Sequence, residues 1–366
     1  MNFWIILFVL MIVLSVISVL YLVSRFHRFT FMQKLGEKHK VLSWVLSLAP
    51  VAVSALFYIV NMWAVIVVLI HLLMIWILFD LIFLVLRKVL KKQRKRNYEG
   101  ACAMAVTAVV LAVGWYNAHH VIQTDYTLST QKNIGGDRLR VVEIADSHLG
   151  ITLDGDKFAD EMEKLNSLGA DVAVIAGDFV DDDSKKADMV RACQALGNLN
   201  TKYGVYFVYG NHDNGYYQYR DFTSQELESE LEKNGVTVLK DRNVLVGDRF
   251  YISGRLDRSF ENRKTAQELT QGLDGEKYII MLDHQPNDYQ NETESGADLV
   301  LSGHTHGGHI FPAGYVGLWL KMNDRVYGHE RRNSTDFIVT SGISGWAIPF
   351  KTGTVSETVV IDVYNS

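Results

Sequence analysis

Four apolar runs, Phe3–Val23, Val41–Val60, Trp63–Leu86 and Ala101–Tyr116, occupy the first third of the chain. The first three are long enough for a helix to cross a bilayer core of about 30 Å; the fourth is short and rich in alanine. The first has no charged segment before it and is long for the apolar core of a signal peptide, so it reads as a retained span. Asn61-Met62 leaves room only for a tight hairpin between the second and third runs. The pattern therefore predicts a membrane domain over 1–120 with about four transmembrane helices. A polar linker over 121–137, ending in Gly135-Gly136, separates it from a globular domain over 138–366.

In the globular part the periodicity changes. Leu139–Ala145, Asp171–Ala176, Val205–Tyr209, Tyr278–Leu282 and Ala297–Leu301 read as strands, mostly continuous apolar runs as in sheets covered on both faces. Lys157–Leu168, Lys185–Leu199 and Ser224–Asn234 have the spacing of helices. Val236–Leu239, Val244–Val246 and Phe250–Ser253 predict short strands, and Phe337–Thr340 and Thr358–Val363 return strands near the end. Strand–helix alternation followed by late strands predicts an α/β domain of two packed sheets with outer helices.

Charge sharpens the division. Twelve of the 36 Lys and Arg residues but only three of the 41 Asp and Glu residues lie before residue 101, so the first part carries +9 and the remainder −14. An acidic globular domain lacks the basic footprint that nucleic-acid binding needs, so no nucleic acid is expected as a partner. The basic residues concentrate in two loops, Arg25–Lys40 and Arg87–Arg96, whereas Asn61 and Asn117–Asp137 are almost free of them. The positive-inside rule makes both basic loops cytoplasmic, which predicts a multi-pass protein of the cell membrane with its globular domain outside the cytoplasm. If Ala101–Tyr116 lay in the interface instead, the domain would be cytoplasmic. The Lys/Arg clusters also fit binding of anionic headgroups without fixing topology. His71 and Asp80 fall within the third run, nine residues apart, and face opposite sides of a helix; helix–helix contact or an interfacial place is the expectation. His119 and His120 read as interfacial. Cys102 and Cys193 fall in unlike segments and predict no disulfide.

The chemistry lies at the strand ends. Five strands run into Asp, Asn or His: Asp146-Ser147-His148, Gly177-Asp178 with Asp181, Gly210-Asn211-His212-Asp213, Asp283-His284, and Gly303-His304-Thr305-His306-Gly307-Gly308-His309. Each has a plainer explanation alone: Asp178, Asn211 and Asp213 suit turns, and the last could be a merely His-rich loop. In an extended backbone His304 and His306 would point the same way, about 7 Å apart; at a glycine-flanked turn they can fan out toward two ions. In α/β folds ligands gather at the carboxyl ends of strands. Ionisable groups directly after buried strands are costly unless paired or metal-bound, so the five together predict a metal site.

In that order, with His284 in the fourth cluster, these stretches match the five motifs of calcineurin-like metallophosphoesterases, which 138–366 resembles. With the preceding apolar helices and the Gly303–Gly308 form of the last motif, the chain is similar to transmembrane proteins with a metallophosphoesterase domain. The resemblance implies a four-layer α/β/β/α sandwich and two divalent ions. One would be held by Asp146, His148, Asp178 and His306, the other by Asp178, Asn211, His284 and His304, with Asp178 bridging. It implies that His212 protonates the leaving alkoxide and that Asp181 orients His212. Oxygen donors mixed with imidazoles suit Mn²⁺, Fe²⁺ or Zn²⁺ better than calcium. Two such ions can activate water and clamp phosphoryl oxygens. Asp182 and Asp183 read as solvated acids, and His309 as a neighbour of the site that is not a ligand.

The resulting expectation is a membrane-anchored, metal-dependent phosphoester hydrolase whose partners are membrane lipids and a phosphoester substrate, with no protein partner readable. Anchoring favours lipid-linked or envelope phosphoesters. The resembling family includes enzymes that cut a nucleotide-diphospho-sugar lipid, a pyrophosphate that stays among the candidates. A tethered phosphodiesterase or nucleotidase for soluble substrates is the alternative. A non-catalytic metal-bound sensor or scaffold would predict a missing ligand, and all seven positions are filled. Arg255, Arg258, Arg325, Arg331 and Arg332 are candidate phosphate clamps. Tyr216, Tyr217, Tyr219 and Arg220 are candidates for a substrate rim. Phe311-Pro312 with Trp319, and Trp346 with Ile348-Pro349-Phe350, are candidates for an apolar lip.

Overall fold

The computed structural model describes residues 3–91, 96–215 and 219–366, so Lys92, Arg94, Lys95, Tyr216 and Tyr217 lie outside the described residues. The chain divides into two compact units, Met1–Val113 and Gly114–Ser366.

The first unit is helical: α1 (Phe3–Phe26), α2 (Thr30–Lys38), α3 (Lys40–Leu46), α4 (Ala49–Ala55), α5 (Met62–Leu90) and most of α6 (Tyr98–His119). Three described stretches are long and apolar enough to cross a membrane: Lys40–Ile59, Met62–Leu90 and Tyr98–His119. The second expected span is broken: Lys40–Ile59 comprises α3, α4 and the 3₁₀ turn Leu56–Ile59, and Pro50 sits in the first turn of α4. The run expected to be short, Ala101–Tyr116, gains three residues at each end. The resulting α6 has 22 residues, about 33 Å of helix. The first expected span, Phe3–Val23, lies within α1, whose 24 residues make about 36 Å of helix. Leu22, Leu72, Trp76 and Ala103 form a buried cluster joining α1, α5 and α6. Asp80 is a helix–helix contact, with its Oδ2 2.6 Å from Arg25 Nε and accepting from Tyr21 Oη at 2.8 Å. His71 Nδ1 lies 2.8 Å from the Val67 carbonyl of its own helix.

The second unit holds two six-stranded sheets. In the first half of this unit come β1 (Val121–Thr130), β2 (Arg138–Ile144), α7 (Gly155–Leu165), β3 (Val172–Ala176), α8 (Lys186–Gly197), β4 (Val205–Val208), α9 (Ser224–Lys233) and β5 (Val236–Leu239). Then follow β6 (Arg242–Val246), β7 (Phe250–Gly254), α10 (Ala266–Thr270), β8 (Tyr278–Leu282), α11 (Tyr289–Glu294) and β9 (Leu299–Ser302). The chain closes with α12 (Ala313–Trp319), β10 (Gly328–Arg332), β11 (Thr335–Val339) and β12 (Ser356–Asn365). One sheet runs β1-β12-β2-β3-β4-β5 and the other β10-β11-β9-β8-β7-β6. β2 to β5 are mutually parallel, as are β7, β8, β9 and β11.

Alternation along the strands assigns the layers. Val141, Val172 and Val174 point between the sheets with Ile252, Ile280, Leu299 and Ile338. Val142, Ala173 and Ile175 point the other way, onto Phe158, Met162, Met189, Leu196 and Leu227 of α7, α8 and α9. On the far side Ile279, Met281, Phe337 and Val339 meet Leu269 and Tyr289 of α10 and α11. This is the four-layer α/β/β/α sandwich. Both faces of each central strand are buried, which is why those strands are continuous apolar runs.

One expectation fails here. The segment 121–137 was expected to be a linker, yet Val121–Thr130 is β1, paired in parallel with β12 over its full length. It is an edge strand with mostly exposed or half-buried side chains, Leu128 being its buried residue, and a strand with a wet face carries the polar residues that imitate a linker.

Candidate metal centre

All five clusters lie at the carboxyl ends of parallel strands, β2, β3 and β4 in one sheet and β8 and β9 in the other. The chain turns sharply there. Asp146, His148, Asp178, His304 and His306 all have positive φ, between 36° and 69°. Non-glycine residues seldom adopt this left-handed conformation, and they persist in it where the surrounding fold holds them. Two glycines permit the close packing of these turns. A Cβ at Gly210 would lie 2.2 Å from Asp178 Oδ1, and one at Gly303 would lie 2.7 Å from Asp146 Oδ2.

Among the described residues the turns assemble three groups that could hold a metal ion: Asp146 with His148 and His306; Asp178 with His284 and His304; and His148 with Asp181 and His212. Asp178 stands between the first two, its Oδ2 3.0 Å from His284 Nε2 and 3.6 Å from His148 Nε2. Asn211 is buried on the loop that carries His212, and the His212 amide donates to Asp178 Oδ1 at 2.8 Å. The His304 amide lies 3.0 Å from both oxygens of Asp146. The imidazoles predicted to fan out do so: His304 joins His284, ring centroids 5.1 Å apart, and His306 joins His148.

The donor set fits a cation. His148 Nδ1 contacts an Asp181 oxygen at 3.1 Å, His284 Nδ1 the Ala176 carbonyl at 2.7 Å, and His306 Nδ1 the Ser344 carbonyl at 3.3 Å. Those oxygens only accept, so each Nδ1 carries the hydrogen and each Nε2 is left as the ligating nitrogen. His148 Nε2 and His306 Nε2 face each other at 3.2 Å, a repulsive meeting of lone pairs unless a proton or cation lies between. Burial, aided by His148, holds His306 far below the ordinary histidine range, and burial with His284 pushes His304 down to about 4. Burial opposes a charge on Asp178, but His284 in contact outweighs it and keeps the carboxyl ionised. The site thus gathers buried carboxylates and imidazoles, a mixed oxygen and nitrogen donor set that suits divalent first-row metals.

Asp181 ties the remaining histidine to this centre. His212 Nδ1 donates to Asp181 Oδ1 at 2.9 Å, while His148 uses Oδ2. Burial lowers the His212 pKa, but the Asp181 bond and the Asp178 charge more than compensate and raise it. The same two histidines hold Asp181 far below the carboxylate range against its burial.

Other candidates fare differently. Asp213, read as turn chemistry, is fully buried and accepts from the amides of Asp178, Phe179, Val180 and Gly210 at 2.7 to 3.1 Å. One carboxylate thereby sews together the loops after β3 and β4. Its place three residues after Gly210 was the only sequence signal for this. His309 turns its Nε2 to the Ile348 carbonyl at 3.2 Å and stacks on His306. Arg255 is no open phosphate clamp: it is buried against Asp283, Asp288 and Glu292. Arg325 and Arg332 pair with Glu330, and Arg331 with Asp336, while Arg258 is exposed. Arg220 donates to the backbone carbonyls of His212 and Asp213, bracing the loop instead of forming a rim; Tyr219 is exposed. Trp346 stands beside His212, ring centroids 5.6 Å apart.

A two-sheet sandwich with carboxylates and imidazoles converging at its strand ends is the architecture of a metal-dependent phosphoester hydrolase. The profile of the calcineurin-like phosphoesterases matches residues 139–308, and the chain belongs to that family. It is 30% identical over 244 residues to an uncharacterised metallophosphoesterase of Aquifex aeolicus, covering 65% of this chain and 90% of the relative. It is 28% identical to an uncharacterised metallophosphoesterase of Campylobacter jejuni, over 78% of this chain and 76% of that one. A Danio rerio transmembrane protein with a metallophosphoesterase domain is 30% identical, over 70% of this chain and 60% of the relative. The family uses divalent metal ions, and the apolar stretches Lys40–Ile59, Met62–Leu90 and Tyr98–His119 accord with a membrane protein.

Proposed function

We propose that this phosphoesterase holds two divalent ions, Mn²⁺, Fe²⁺ or Zn²⁺, and hydrolyses phosphoesters presented at a membrane. The position of Asp178 between two carboxylate–imidazole groups carries the reading. Asp146, His148, Asp178 and His306 would hold one ion, and Asp178, Asn211, His284 and His304 the other. Bound there, the ions would supply Lewis acidity, making water a better nucleophile and neutralising phosphoryl charge.

The chain's own residues do the rest. His212, kept protonated by Asp181, gives its Nε2 proton to the leaving oxygen as the P–O bond breaks. Asp181 fixes the ring through Nδ1, so that Nε2 is the nitrogen that exchanges a proton. Asp213 holds the two ligand-bearing loops in register through their amides.

Residues 1–120 form the anchor and 138–366 the catalytic part, with β1 joining the fold of the latter. The catalytic part lies outside the cytoplasm, by the charge of the loops Arg25–Lys40 and Arg87–Arg96. Lipid-linked or envelope phosphoesters, a nucleotide-diphospho-sugar lipid among them, are favoured over soluble ones because helices tether the site. Purified full-length protein offered an aryl phosphodiester, a phospholipid and a nucleotide-sugar panel in Mn²⁺ tests this. Hydrolysis abolished by chelation and restored by metal supports the reading. Chelator-insensitive hydrolysis overturns the metal assignment, and exclusive cleavage of soluble substrates leaves a tethered phosphodiesterase or nucleotidase.

A further inference from the structure

Immediately after the last metal-site motif the chain exposes an apolar segment. Phe311, Tyr315, Val316, Leu318, Trp319, Leu320 and Met322 are all exposed, Trp319 to 75% and Leu320 to 65%. Water is a poor partner for seven such side chains within twelve residues, and a contiguous apolar surface of this kind marks an interaction site. Lys321 is the one cation of Phe311–Met322, and the stretch contains no acid. Aromatic and aliphatic residues with a cation on a short helix are the composition of an element lying in the lipid headgroup layer.

What covers this segment follows from its neighbours. Gly114–His119, the last six residues of α6, belong to the same compact unit as α12. There Trp115 packs edge-on against Phe350, ring centroids 5.3 Å apart, and Gly114 accepts from the Lys351 amide at 2.8 Å. The next residue, Thr352, touches both elements. Its Oγ1 accepts from the Phe311 amide at 3.1 Å, and a Cβ at Gly114 would lie 2.6 Å from its Cγ2. The exposed segment therefore begins one residue's width from the end of a helix long and apolar enough to cross a membrane. Trp115 and Tyr116, both exposed, sit at that helix end, where aromatic side chains mark the bilayer interface.

The segment also borders the metal centre. Gly314 packs directly on Gly308, two residues after His306; a Cβ on Gly314 would lie 2.2 Å from the Gly308 Cα. Between them and Tyr327 runs a groove of ≈ 400 Å³, lined by Gly307, Phe311, Tyr315, Leu318 and Arg325 among others. We propose that Phe311–Met322 is an interfacial element that lies in the headgroup layer of the bilayer crossed by α6 and presents lipid phosphoesters to the metal centre through this groove. The proposal rests on the reading of a membrane phosphohydrolase and names the surface through which such a protein would take its substrate.

The test uses the full chain in vesicles of phosphatidylglycerol and phosphatidylcholine. An environment-sensitive dye is placed at W319C in a chain carrying C102S and C193A, and at K233C on α9 as an exposed control. Expected are blue-shifted emission at 319 and quenching by lipids doxyl-labelled near the headgroup, with neither at 233. Water-like, unquenched emission at 319 overturns the proposal. So does a blue shift that is insensitive to doxyl lipid and vanishes on diluting protein in the vesicle, which would assign the surface to a second copy. As a second measurement, W319E with L320E should lower hydrolysis of a vesicle-borne fluorescent phospholipid roughly tenfold, with an aryl phosphodiester in solution cleaved as before. Equal rates of the variant and the unaltered chain on both substrates would also overturn it. Quenching is read without turnover, so a failed surface and a failed hydrolase assignment give different results.

Discussion

His148 and His212 share one carboxylate: Asp181 Oδ2 is 3.1 Å from Nδ1 of the first, and Oδ1 is 2.9 Å from Nδ1 of the second. The bridge fixes the tautomer of a proposed ligand and of the proposed acid together, so Asp181 acts on both. It accounts for the raised pKa of His212 in its half-buried place.

The pH dependence follows from that bridge. His212 must be protonated to act as an acid, and its pKa lies above the ordinary 6.5. kcat should therefore be level below that raised pKa and fall as pH rises through it. In Asp181→Asn the favourable contact with the imidazolium is lost, so the alkaline limb should move to lower pH. A pH–rate profile with an aryl phosphodiester checks this; an unmoved limb would assign the acid elsewhere.

His212→Ala should lose about 10²–10⁴-fold in kcat, the usual contribution of a general acid. Metal content measured by elemental analysis should stay unchanged. Loss of both metals along with activity would mean that His212 is a ligand.

Asp178→Asn and His304→Ala should lower both metal content and turnover, Asp178→Asn the more severely because Asp178 contacts histidines of both groups. Losses of 10-fold to 100-fold in metal affinity accompany even indirect damage to a metal site, and direct ligands should exceed roughly that. Full activity in either variant would sink the two-ion assignment.

Asp213→Ala should be a folding defect before it is a catalytic one. It strands four buried amides, each costing roughly 1–3 kcal/mol when left without an acceptor. Thermal unfolding in detergent should show a large fall in Tm, whereas Asp213→Asn, which keeps one acceptor oxygen, should fall less. Comparable Tm values for Asp213→Ala and the unaltered protein would refute the splint.

Lys351 offers a second pH signature. Its Nζ is buried and donates to the carbonyls of Ser341, Gly342 and Val355 at 2.7 to 3.2 Å, and burial pushes its pKa down to about 7. Unfolding restores the ordinary value of 10.5, so between these values the unfolded chain binds more protons than the folded one. The contribution of Lys351 to stability therefore rises with pH across that window, with a limiting slope of about 1.4 kcal/mol per pH unit. Lys351→Met should flatten the pH dependence of Tm there; an unchanged slope would exclude the group as its source.

Much of the protein was legible in one dimension, for physical reasons that particular residues show. Strands buried on both faces, such as Val172–Ala176 and Tyr278–Leu282, must be continuously apolar, so the ionisable residues that follow them stand out. Runs such as Met62–Leu90 announce themselves by length. Other features depend on partners far along the chain. β1 is polar because one face is wet, and only its pairing with β12, more than 230 residues later, makes it a strand. Arg255 looked like a phosphate clamp until the fold set it against Asp283 and Glu292. Asp213 could pass for a turn former, because the amides it binds at Asp178 to Val180 lie some 35 residues upstream. Residue type and local spacing thus determined the elements and the kind of chemistry at their ends. Which donors share a carboxylate, which charges are already paired and which apolar side chains stay uncovered depend on distance in space, and only the tertiary structure decided them.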